Sequence, residues 1–150
     1  MKQSPKMQKL EEMLRSSVLV VGGFMGSDGR PVMEVIEADA ATLSRLDVTA
    51  EKLADRMQEV TEAAIKGLGT WVTFGAQHEA RVDEARGWIP CPWSDGHRFR
   101  KRVTTVRRMD SGLTVRWSDL GIHLIGAHAF FEGQGSFFRI EPAELVRVLF

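Results

Sequence analysis

The side chains able to bind a metal or move a proton gather in the second half of the chain: Cys91, Asp95, His97, Asp119, His123, His128 and Glu132. His123 and His128 stand in the H-x4-H spacing found in the helix of small zinc fingers. Such a finger needs two further ligands, ordinarily a close pair of cysteines, and here only Cys91 and His97 are on offer. Five residues along a helix also turn a side chain by about 140°, so both histidines reach one ligand only if the helix ends between them. A Cys91/His97/His123/His128 tetrahedron is chemically allowed but has no recognised spacing, and neither a metal nor a cofactor is expected. On the plainer reading, His128 sits near a helix C-terminus, where the dipole favours it, and His123 is a satisfied core or surface histidine.

Cys91 lies between two prolines and two tryptophans, in Trp88-Ile89-Pro90-Cys91-Pro92-Trp93. A catalytic thiol sits at a helix N-terminus or beside a cation that lowers its pKa, and the prolines fit a helix start poorly. A small inert hydrophobe is the expectation for Cys91. An enzyme, metal-assisted and built from Cys91, His97, Asp119, His123 and His128 beside the Trp-rich loop, is the alternative to a non-enzymatic module.

The sharpest feature is the run Arg98-Phe99-Arg100-Lys101-Arg102-Val103-Thr104-Thr105-Val106-Arg107-Arg108. Residues 98–117 hold seven cations against Asp110, a net +6. Strand alternation places Arg98, Arg100, Arg102 and Arg108 on one face, and the simplest hairpin adds Arg116 to it. Phe99, Val103, Leu113, Val115 and Trp117 then turn to the core. Arginine's planar fork suits phosphate and carboxylate. The five arginines therefore read as an anion-binding ribbon for nucleic acid or an acidic protein surface, a second copy of the chain included. The opposing reading is internal neutralisation, because residues 31–65 carry eight carboxylates against three cations, a net −5.

Several chemistries are excluded. Val18 to Val21 followed by Gly22, Gly23 and Gly26 resembles a strand entering a phosphate loop, but neither G-x-G-x-x-G nor a Walker lysine follows. Gly133-Gln134-Gly135-Ser136 is not a nucleophile elbow, and no H-E-x-x-H is present. One cysteine forms no internal disulfide, and without tyrosine there is no phenol to act as an acid.

These residues must be carried by elements. Met7, Leu10, Met13 and Leu14 after Pro5 predict a helix over 5–16, and apolar spacing predicts helices over 31–46 and 50–66. Strands are expected at 18–21, 70–74 and 78–86, an extended edge at 88–93, and a hairpin around Asp110-Ser111-Gly112. A short helix capped by Ser118 or Asp119, a strand at 137–140 and a last helix from Pro142 complete the chain. Helices first and sheet later favour an α+β fold, with N-terminal helices packed on a mainly antiparallel sheet that includes the 98–117 hairpin. The 150 residues fit a single domain, 1–150. Lys plus Arg and Asp plus Glu are 20 each, so the net charge is zero, which excludes a uniformly basic nucleic-acid binder. The longest apolar run falls far short of the roughly 20 residues that span a bilayer, and Glu11, Glu12 and Arg15 break any export signal, so no membrane association and a cytoplasmic location are expected.

Overall fold

The computed structural model describes residues 3–150. Among them the chain forms α1 (Pro5–Arg15), α2 (Val32–Arg45), α3 (Ala50–Ile65), β1 (Val72–Phe74), β2 (His78–Pro90), β3 (Arg98–Arg108), β4 (Thr114–Ser118), α4 (Asp119–His128) and α5 (Pro142–Leu149). The strands make one antiparallel sheet in the order β1-β2-β3-β4, an α+β fold with helices leading. No helix of the described residues is long and apolar enough to cross a membrane.

Local chemistry explains the helix ends. Ser4 and Thr49 accept the Met7 and Lys52 N–H groups and cap α1 and α3. Pro31 gives α2 no such cap. Glu11 of α1 supplies it instead, its carboxylate accepting the Val32 N–H at 2.6 Å. That bond ties the first helix to the second.

The sheet is buried on opposite faces at its two ends. Ala80, Val82, Val106, Val115 and Trp117 pack against Leu53, Met57, Val60 and Leu145 in the larger core. Trp117 Nε1 donates to Thr61 Oγ1 at 3.0 Å, and Thr61 in turn shares a 2.6 Å hydrogen bond with Thr104, so this core keeps its polar atoms paired. Ile89 and Phe99, a cross-strand pair of the opposite parity, pack instead with Phe24, Val35, Leu120 and Phe130 in a second cluster. The register between β2 and β3 shifts between Glu84 and Trp88, a bulge that bends the hairpin where the buried face changes.

That double use corrects the expected arginine face. Thr104 and Val106 are fully buried, so the face shared by Arg102 and Arg108 is the main core face, and both arginines lie at its margins. Arg116 pairs with Thr105 and so stands on the opposite side of the sheet. Two expected strands are also absent. Residues 18–21 form turns and a bend, with Val18 and Val21 79% and 95% exposed, and 137–140 form a turn and irregular chain ahead of α5. Gly23 and Gly26 of the first segment serve packing. Gly26, at φ +56°, and Gly133 lie where the 22–28 and 133–136 loops cross, so close that a Cβ on Gly26 would strike the Ser136 backbone and one on Gly133 the Met25 carbonyl.

Candidate functional site

Two elements converge at the end of the sheet where the second core cluster lies. The first is the loop between β2 and β3, closed by the pairing of Pro90 with Arg98. Inside it the Cys91 N–H donates to the His97 carbonyl at 2.9 Å, and the Ser94 N–H donates to the Cys91 carbonyl at 3.0 Å. The Asp95 carboxylate accepts the His97 N–H at 3.0 Å, a turn that fixes its direction. The second element is α4, which starts directly after β4 with Ser118 as its cap and stops at Ala129, in the left-handed region at φ 52°.

Asp95 Oδ2 lies 2.7 Å from His123 Nε2 and 3.0 Å from His128 Nε2. Cys91 Sγ lies 3.5 Å from the same nitrogen of His128. Cys91, Asp95, His123 and His128 thus offer four donor atoms all within 4.8 Å of one another. The helix does not end between the two histidines, as the rotation argument required. It runs on to His128, its last residue, and the two rings reach a common point beside the loop.

The rings are held from behind. Trp93 stacks on His128 with centroids 4.2 Å apart and planes at 10°, and it packs edge-on against Phe130. Phe99 lies 4.9 Å from His123. Cys91 is buried in the second cluster, while Asp95, His123 and His128 are partly open to solvent. Burial works against ionisation of Asp95, but the His97 N–H, His123 and His128 outweigh it and hold the carboxyl well below its ordinary range. Burial pushes the Cys91 thiol up to about 12, with the Asp95 carboxylate adding to the rise against a backbone hydrogen bond from Trp93. A thiol so placed is not an activated nucleophile.

The structure therefore brings together three of the four residues picked out by spacing. His97 stands outside, its Nδ1 3.3 Å from the other Asp95 oxygen and its side chain 64% exposed. Asp119 lies elsewhere, in an ion pair with Arg102 at 2.9 Å, and burial raises its pKa against that guanidinium. Asp95, one of the metal-capable side chains of this half, takes the place expected of His97. The signal for it was Ser94-Asp95-Gly96, a turn sequence four residues after Cys91 in a hairpin loop.

The arginines divide into two groups. Arg102 bridges Asp119 and Glu84, Arg108 pairs with Asp110 and donates to the Arg147 carbonyl, and Arg107 pairs with Glu79. Arg98 and Arg100 make no ion pair among the described residues and flank the half-exposed Trp88, 4.8 and 5.3 Å from its ring centre. Arg116 lies over Phe137 at 4.2 Å. No protein-family model, curated protein or solved structure matches the chain.

Proposed function

We propose that the chain is a metal-binding protein in which Cys91, Asp95, His123 and His128 hold one zinc-like divalent ion. The observation that carries this reading is the convergence of four donor atoms within 4.8 Å, from a hairpin loop and a helix far apart in sequence. One thiolate, two imidazoles and a carboxylate are the donors zinc takes in tetrahedral sites, the ion displacing the thiol proton as it binds. Atoms bound at about 2.0–2.3 Å around a tetrahedral ion stand about 3.3–3.8 Å apart. The sulfur-to-His128 distance of 3.5 Å already fits, the two Asp95 contacts must open by about 0.6 and about 0.3 Å, and the widest donor pairs must close by up to about 1 Å. With four protein donors the site is closed, and the ion's role is to fix the β2–β3 loop to α4.

The test is metal content of the chain purified without chelator. One equivalent of zinc is expected. Exchange with cobalt should give a thiolate-to-metal charge-transfer band that Cys91→Ser lacks, and His123→Ala should lower the stoichiometry. A chain that carries no metal, and whose unfolding does not respond to added zinc, overturns the reading in favour of a metal-free hydrogen-bonded cluster.

A second reading rests on a different surface. Trp88 between Arg98 and Arg100 offers a ring for base stacking and two guanidiniums for phosphate, which suits a single-stranded nucleic acid. Trp88→Ala is expected to weaken binding of a labelled oligonucleotide by about 1–3 kcal/mol. Charge reversal at Arg98 and Arg100 should flatten its salt dependence. Fluorescence anisotropy measures both, and absence of binding at low salt excludes this reading.

A further inference from the structure

A second opening in the molecule lies away from the ligating loop, where residues 19–24 and 132–138 fold over the hairpin. It is a cleft of about 440 Å³, within the range that takes small-molecule ligands. Its walls are apolar: Leu19, Val20, Phe24, Ile89, Leu120 and Phe138. Four charged residues line it, Arg100, Lys101, Arg102 and Glu132. Arg102 is already held by Asp119 and Glu84. Arg100 lies over Trp88. Lys101 is exposed, sits beside Gly87 and makes no ion pair among the described residues. By strand alternation it shares the face of Val103, which also lines the cleft.

On another wall Glu132 is 94% buried, with one oxygen accepting the Ser136 hydroxyl at 2.6 Å. Its second oxygen makes no hydrogen bond among the described residues, yet no enclosed side-chain oxygen there lacks a partner, so this oxygen reaches open space. Glu132 also lines a void of about 10 Å³, scarcely one water. The cleft thus has an apolar trough, two cations without an ion pair among the described residues, Lys101 and the Trp88-stacked Arg100, and a polar atom on a buried wall.

We infer that this cleft binds an apolar-chain carboxylate, its tail in the trough and its head at Lys101. The rim charge selects the anion over an amine, and burial of the acid on the far wall pushes Glu132 up to about 7, which weakens its repulsion of an anionic ligand.

Calorimetric titration with hexanoate, octanoate and decanoate, each below its micelle concentration, tests the assignment. Affinity should rise about fourfold per added methylene, because each buried methylene brings about that factor. Lys101→Glu should weaken octanoate about tenfold and leave octanol unchanged, with nearly the same thermal midpoint as the parent, since Lys101 makes no ion pair among the described residues and only its stem lies beside Gly87. Phe137→Ala, at an exposed cleft position, should weaken both ligands. An affinity independent of chain length overturns the site. So does tighter binding of octylammonium than of octanoate, or octanoate binding that Lys101→Glu leaves intact.

Discussion

Replacing Arg139 with methionine is expected to lower the free energy of unfolding by about 3–5 kcal/mol, read as a fall in the urea midpoint at unchanged m. Arg139 is 8% exposed and meets Asp39 of α2, itself 9% exposed, with contacts of 2.5 and 2.9 Å. The same guanidinium donates to the Glu132 carbonyl at 2.9 Å and pairs with Glu141 at 3.1 Å. One side chain therefore joins α2, the loop beside the cleft and the start of α5. Methionine keeps the aliphatic stem but leaves Asp39 as a buried charge without its partner, and that desolvation is where most of the cost lies. The pair itself is worth much less, because two ions give up hydration to form it. Adding Asp39→Leu to the Arg139→Met variant should consequently recover most of the loss. Glu141 is half-exposed and should contribute little. A loss below about 1 kcal/mol for the single variant would show that water reaches Asp39 and that the pair behaves as a surface one.

The elements carried by periodicity or by turn chemistry were legible in the residues. The stripes of α2 and α3, the Thr49 cap and the Asp110-Ser111-Gly112 turn each state their structure locally, and the α+β arrangement follows from their order. Val18 to Val21 and Phe137 to Ile140 misled because β-prone residues form a strand only where the fold carries them alongside a sheet edge. The sheet ends at β1 and β4, and these segments cross over its surface instead. The arginine face was misjudged by one register for a related reason. Phe99 advertises one buried face and Val106 the other, and both are right, at different ends of a bent strand. In the candidate metal site, Cys91, His123 and His128 could be chosen by residue type. Their convergence depends on a loop tip meeting a helix end, a tertiary fact without a sequence period, and that meeting puts Asp95 rather than His97 in the fourth place.

Glu132→Gln is expected to stabilise the chain by about 3 kcal/mol near pH 8 and by nothing measurable near pH 4. Burial raises the Glu132 carboxyl from 4.5 to about 7, against the Ser136 hydrogen bond and the Arg139 charge, which favour the ionised form. Below 4.5 the acid is protonated in both the folded and the unfolded chain, so it contributes no pH dependence. Between 4.5 and 7 the unfolded chain ionises while the native state keeps its proton. Native stability then falls by about 1.4 kcal/mol per pH unit. Above 7 both states are ionised, and the full penalty of a buried carboxylate remains. Glutamine has the same shape, can accept the Ser136 hydroxyl in the same place and never ionises, so its stability should be flat across that window. The left-handed backbone at Glu132, φ 69°, is common to both proteins and cancels in the comparison. Urea unfolding of parent and variant across pH 4 to 8 measures the difference directly. Parallel stability curves would place the Glu132 carboxylate in water. A gap that opens between 4.5 and 7 would show an acid kept in a costly position, which is what a ligand-facing group on an otherwise apolar wall requires.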